Sequence, residues 1–207
     1  VGGPPCQAYS IAGRVRDSKG MQDDYRNFLF ESYVQMVNHF QPKAFIFENV
    51  YGMMTVEGGS VFEDLKKKLS QPSPTLRYHL SILRVNAVDF GAPQFRDRVF
   101  IIGALDDRKI DKLTPIFFKK NDSLSNSTMP WRTVSDGLRD LPKIGTSCCF
   151  NHVGRKHSQR IIDRYKSMKF GERDSKTRIN KLNPERPSFA IIVGSDAGGG
   201  KGHIHPY

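Results

Sequence analysis

The chain has 207 residues, 38% hydrophobic and 26% charged, a globular composition long enough for one large domain or for one domain and part of a second. No apolar run approaches the ~18 residues of a membrane span and no charged start leads into an apolar segment, so a soluble cytoplasmic protein without a membrane partner is expected. The 32 Lys and Arg outnumber the 21 Asp and Glu to leave +11, which favours a polyanion such as nucleic acid, and three cysteines are too few for a disulfide framework.

The chain opens on Val1 rather than Met and runs straight into Gly2-Gly3-Pro4-Pro5-Cys6-Gln7, which reads as an excerpt of a longer polypeptide. Phe30, Tyr33, Val34, Val37 and Phe40 then recur at helical spacing between Arg26 and Phe40, and Pro42 stops the pattern. Ala44-Phe45-Ile46-Phe47 is an unbroken apolar run, as in a strand buried on both faces, and it ends in the polar pair Glu48-Asn49. Ser60 and Glu63 have capping-box spacing at the start of a second helix whose apolar face is Val61, Phe62, Leu65 and Leu69. Tyr78 to Val88 and Val99 to Ala104 read as strands flanking a polar segment with Gly91 and Pro93. The alternation predicts an α/β sheet with ligands beyond the carboxyl ends of its strands, where Glu48 falls.

Near residue 111 the patterning weakens, which sets the expected boundary between a first domain, 1–111, and a second, 112–207, with a short helix around Val134 to Leu141. Residues 151–186 hold eleven Lys/Arg against four acids, a surplus of seven out of +11, with Tyr165 and Phe170 interleaved. A charge run is often only a solvated face, but this excess favours a surface that meets phosphates.

Three places carry residues suited to chemistry. Glycines and prolines hold the turn before Cys6, and a nucleophile needs such rigidity; a thiolate also needs cations that lower its pKa, for which Arg14, Arg16, Arg96 and Arg98 are candidates. The rival reading is an inert buried cysteine. Glu48, after its apolar run, could sit dry enough for burial to raise its pKa and let it carry a proton, or could form a strand-end salt bridge. In Gln94-Phe95-Arg96-Asp97-Arg98, alternate residues of an extended chain would put Gln94, Arg96 and Arg98 on one side, able to hold phosphate, a carboxylate or a charged carbonyl oxygen.

In this order, Gly-Gly-Pro-Pro-Cys-Gln, Glu48-Asn49-Val50 and Gln94-x-Arg96-x-Arg98 followed by an apolar strand resemble the cytosine-5 DNA methyltransferase family, from Val1 to about Leu105. Ser10, Gly13, Asp24, Arg26, Asp136, Leu138, Asp140, Leu141 and Pro142 extend the likeness, as do Arg186-Pro187-Ser188-Phe189-Ala190-Ile191 and His205-Pro206. The resemblance implies part of a Rossmann-like S-adenosylmethionine-dependent methyltransferase sheet, joined to most of a smaller, irregular target-recognition domain.

It also implies a chemistry. Cys6 would add to carbon 6 of a cytosine flipped out of duplex DNA, and carbon 5 would then take the methyl of S-adenosylmethionine. Glu48 would serve ring nitrogen 3 and Arg98 the oxygen at position 2, while Arg96 steadies the site or a phosphate. Gln7, Ser10, Arg26 and Asn49 are the substrate- and DNA-side positions, Ser10 and Arg26 towards the DNA backbone, Gln7 and Asn49 by keeping loop geometry. Pro5 is the single cofactor-side position carried over. The family's Phe-x-Gly-x-Gly cofactor loop does not occur before the cysteine turn, and its final Arg/Glu motif is not reached, so this chain alone is expected to bind cofactor negligibly and not to turn over. A monomer from a bacterial restriction-modification system is expected.

Two alternatives remain: an RNA (tRNA) cytosine-5 methyltransferase of the same fold, and a non-catalytic nucleic-acid-binding module, which would have no need of both a thiol and an acid. Gly198-Gly199-Gly200-Lys201 lacks the first glycine and the Ser/Thr of a phosphate loop. Cys148, Cys149, His152 and His157 lack zinc-ligand spacing, and no metal is expected.

Overall fold

Alternation of buried and half-buried side chains organises the strands. The structure, a computed structural model, describes residues 1–4, 29–119, 129–142, 157–191 and 202–206. Helix α1 (Leu29–Phe40) leads to β1 (Ala44–Val50), a 3-10 segment (Tyr51–Gly59), α2 (Ser60–Ser70), β2 (His79–Asn86) and β3 (Asp97–Ala104). β3 lies between β1 and β2 and runs antiparallel to both, so β1 and β2 are parallel to one another with α2 in the crossover. This is the α/β arrangement expected.

Phe45, Phe47, Val99 and Ile101 point to one face of the sheet and pack there with Phe30, Val37, Phe62, Leu65 and Leu69 of the two helices. The opposite face carries Ile46, Glu48, Phe100 and Ile102, all half-buried. The Phe45–Phe47 run is therefore fully buried on one face only, a correction to the two-sided expectation. Phe40 departs too: it lies one turn past Val37, is 74% exposed and meets His39 edge-on, with ring centroids 4.8 Å apart.

The expected Ser60/Glu63 capping box does not form. Gly59, left-handed at φ 96°, occupies the N-cap because the preceding 3-10 segment feeds directly into α2, which puts Ser60 inside the helix and leaves Glu63 to pair with Lys66 at 2.6 Å. Gly103 marks tight packing, since a Cβ there would run into the Phe45 ring. Gly103→Ala is expected to cost about 1–3 kcal/mol by overpacking, read as a lower urea midpoint at unchanged slope.

The chain divides into two compact units, one of Val1–Asn86 and Asp97–Thr114, the other of Ala87–Arg96 and Pro115–Tyr207. The first holds the sheet. In the second, Phe117–Phe118 (β4) and Met129–Pro130 (β5) pair in parallel, and Trp131 donates from Nε1 to Asp89 Oδ1 at 3.0 Å while meeting Phe95 edge-on at 5.3 Å. Helix α3 spans Val134–Leu138, shorter than the Val134–Leu141 expected, with Arg139 and Asp140 already in a turn. It begins with a true capping box, in which the Thr133 N–H, foremost, and its hydroxyl hold the Asp136 carboxyl below the ordinary carboxylate range. Helix α4 (Gln159–Ser167) ends against Lys181, whose buried ammonium donates to the carbonyls of Tyr165, Lys166 and Met168.

Candidate active site at the end of β1

Register brings an acid and an arginine together. Val50 pairs with Arg98 and Glu48 with Phe100, so Glu48 and Arg98 are diagonal neighbours on the half-buried face of the sheet. Arg98 Nε donates to Glu48 Oε1 at 2.5 Å, with the two side chains 16% and 36% exposed, and Arg98 Nη1 donates to the carbonyl of Asp97 at 2.8 Å. The strand-end salt bridge weighed as the alternative for Glu48 is thus what the geometry contains. A charge-assisted pair so placed holds both groups near the carboxyl end of β1.

The first residues of the chain lie alongside. Gly2 N–H donates to the Ile46 carbonyl and Gly2 O accepts from Glu48 N–H, both at 2.9 Å, so Gly2 forms a parallel bridge on the outer edge of β1. Asn49, 4% exposed on the other face, donates from Nδ2 to Pro4 O at 3.3 Å and accepts at Oδ1 from Val50 N–H at 2.8 Å. Both ends of its amide are used on backbone, which ties the Gly-Gly-Pro turn to the strand.

The glycines are needed for approach. A Cβ on Gly2 would enter the Tyr33 ring, and one on Gly3 would lie 3.0 Å from Glu48 Oε2. Tyr33, read from the sequence only as part of an apolar helix face, donates its hydroxyl to Ile46 O at 2.9 Å and packs edge-on against Phe47 at 5.3 Å. Burial pushes that hydroxyl's pKa up to about 12. The signal was a phenol amid otherwise apolar helix positions. Sequence reasoning also missed Arg84, whose guanidinium stacks 3.7 Å from the Tyr51 ring centroid and lies 3.8 Å from Asp97 Oδ1 at the same end of the sheet.

Pro5, Cys6, Gln7, Ser10 and Arg26 lie outside the described residues, as do Arg14, Arg16, Cys148, Cys149 and His152. Arg96 is described: its carbonyl accepts from Ala87 N–H at 3.1 Å, and its backbone groups with the second unit. Gln94 and Arg96 group with the second unit and Arg98 with the first, and Gln94 is bridged to Ser188 within the second. Among the described residues no three His, Cys, Asp or Glu side chains group as metal ligands, and no helix is long and apolar enough to cross a membrane.

The fold is similar over 100% of this chain, and 63% of the other, to the crystal structure of a DNA modification methyltransferase encoded within an E. coli prophage, with a TM-score of 0.66 at 25% identity. The sheet and its flanking helices are thus part of an α/β methyltransferase fold. The model of the C-5 cytosine-specific DNA methylases matches residues 1–196, and the chain belongs to that family. The Type II methyltransferase M.DdeI of Desulfomicrobium norvegicum is 34% identical over 192 residues, 83% of this chain and 45% of that protein. The Type II methyltransferase M.Bpa9945I of Bacillus paralicheniformis is 40% identical over 146 residues, 69% of this chain and 32% of that protein. The chain spans less than half the length of these two curated relatives.

Proposed function

We propose that this chain supplies the base-activating part of a sequence-specific DNA (cytosine-5)-methyltransferase of a bacterial restriction-modification system. The observation that carries the reading is the Glu48–Arg98 pair at the edge where the Gly2–Pro4 turn leads towards Cys6. An acid and a guanidinium 2.5 Å apart suit two adjacent polar atoms on one edge of a planar ring, and nitrogen 3 and the oxygen at position 2 of cytosine are such a pair.

In this reading the base must leave the duplex stack, since its edge is otherwise paired. Its oxygen competes for the guanidinium, which swings from Glu48 to the oxygen and frees the carboxyl for nitrogen 3. The Cys6 thiolate adds to carbon 6, the displaced electron pair moves through the ring to nitrogen 3, which takes the proton that Glu48, once free of the guanidinium, carries in its acid form, and Arg98 stabilises the charge on the oxygen at position 2. Carbon 5 becomes the nucleophile. Asn49 acts through the turn that carries Cys6, Gln7 by holding that same loop, Arg96 by steadying the site or a phosphate, and Ser10 and Arg26 at the DNA backbone.

The family implies S-adenosylmethionine as methyl donor. The described residues do not fit its holding site: Glu48, the acid at the sheet's site edge, is engaged by Arg98, and no second acid stands beside a glycine-rich turn there. This chain by itself is expected to bind the cofactor negligibly, and micromolar affinity by calorimetry would contradict that expectation. The division into a catalytic part, 1–111, and a target-recognition part, 112–207, belongs to the same proposal, as does a monomeric, cytoplasmic enzyme.

The test joins the chain to a segment bearing the family's Phe-x-Gly-x-Gly loop and offers labelled methyl donor with duplex DNA or transfer RNA. The expected product is 5-methylcytosine in the DNA. Label in RNA alone would favour the RNA enzyme, and duplex binding without label in either would favour a binding module.

A further inference from the structure

The second unit contains a feature that the cytosine chemistry does not use. Residues 171–181 fold back as a hairpin: Gly171 N–H donates to Lys181 O, Lys181 N–H to Glu172 O, and Asp174 N–H to Ile179 O, each at 2.8 Å. Arg173 bridges Asn180 across it, and Arg178 N–H closes the tip on Asp174 O at 2.8 Å. Arg173, Lys176 and Arg178 are exposed on this tip.

The acid among them is turned inward. The Asp174 side chain is 4% exposed, accepts at Oδ2 from both the N–H and the hydroxyl of Thr177, and lies 3.2 Å from Arg164 Nε of α4. The Thr177 hydroxyl, first among these causes, holds the Asp174 carboxyl below the usual carboxylate range. Arg173 Nε donates to the Arg178 carbonyl at 3.0 Å, and Arg178 itself is left-handed at φ 62°, a conformation that costs a non-glycine residue free energy and persists only where the surroundings impose it. Beneath the hairpin, Lys181 covers the carbonyls that end α4 and so cancels the negative pole of that helix. The tip therefore presents three exposed cations on a backbone held by the hairpin, with Asp174 turned inward onto Arg164, while the exposed Glu172 at the hairpin's base accepts from Lys169 N–H at 2.7 Å.

We infer that the Arg173–Arg178 tip is a clamp for the phosphate backbone of duplex DNA, with Asp174 the positioning residue that sets its shape. The inference rests on the DNA reading above and deepens it. A clamp of this kind contributes affinity without sequence information, because phosphates are alike at every base pair.

The test measures binding of the 207-residue chain to fluorescently labelled duplexes of two unrelated sequences across a salt series. Replacing Arg173, Lys176 and Arg178 together by Ala should weaken binding at least tenfold on both duplexes and flatten the slope of log K against log salt by about two to three, since each neutralised phosphate contributes about 0.9. Lys176→Glu, at an exposed tip position, should weaken both alike and flatten the slope by about one without disturbing the fold. Asp174→Asn should weaken binding with its far-ultraviolet circular dichroism unchanged. A wild-type chain that binds with its salt slope unmoved in the triple and Lys176→Glu variants would overturn the clamp and leave the DNA reading standing. A loss confined to one of the two sequences would overturn the clamp in favour of base readout. No duplex binding by the wild-type chain, with RNA bound instead, would overturn the DNA reading and the clamp with it.

Discussion

Glu48→Gln is expected to lower methyl transfer by about 10²–10⁴-fold, the usual worth of a positioned proton carrier, while leaving duplex binding within a few-fold of wild type. The amide keeps the size of the carboxyl and still offers an oxygen to Arg98, so the sheet edge should stay intact. What it loses is the negative charge that pairs with the guanidinium at 2.5 Å and the capacity to exchange a proton with nitrogen 3. The loss should appear in kcat with KM for DNA little changed, because the interaction strengthens as charge develops on the ring. A variant with full kcat would remove Glu48 from the chemistry and return it to the plain role of a strand-end ion pair. The companion change Arg98→Lys keeps the charge but removes the planar fork, and an intermediate loss is expected because one ammonium cannot reproduce the directed contact at the position 2 oxygen.

Cys6→Ser is expected to abolish turnover to background, a larger loss than that of Glu48→Gln. A serine hydroxyl is scarcely ionised near neutral pH, whereas a thiolate is both accessible and soft enough to add to an unsaturated ring carbon. Without that addition carbon 5 has too little electron density to take a methyl group, so no other side chain of the site can compensate. Duplex binding should survive, which separates lost chemistry from lost folding. Turnover by Cys6→Ser within tenfold of wild type would contradict covalent activation of the base.

Much of the sheet was legible because burial and sequence agree there. Phe45 and Phe47, Phe62, Leu65 and Leu69, and Val99 and Ile101 each mark an element by side chains that do face the core, while Ile46, Phe100 and Ile102 of the same runs lie on the half-buried face. Glu48 and Arg98 were legible as residues through the order of their motifs, yet their contact was not. It depends on β3 inserting antiparallel next to β1, and strand pairing is a long-range choice that periodicity does not encode.

Other features were hidden for local reasons. Ser60 and Glu63 have capping spacing, but the 3-10 segment before them supplies Gly59 as the cap. Phe40 continues the helical pattern of α1 but lies one turn past Val37, the last buried residue of that helix, and is exposed. Tyr33 reads as apolar from its helical spacing, and only the fold shows its hydroxyl fastening β1 where Gly2 pairs. Asp174 read as one acid among many cations, when its inward turn is what leaves the hairpin tip wholly positive.

The most direct test of the central claim is covalent trapping. The chain joined to a cofactor-loop segment is incubated with methyl donor and duplex DNA in which target cytosines are replaced by 5-fluorocytosine, whose fluorine cannot be eliminated after addition at carbon 6. A protein–DNA adduct that survives denaturing electrophoresis, and that is absent in Cys6→Ser, is the predicted result. An adduct that persists in Cys6→Ser, or one that forms with fluorinated RNA and never with DNA, would contradict the assignment of Cys6 as the nucleophile of a DNA enzyme.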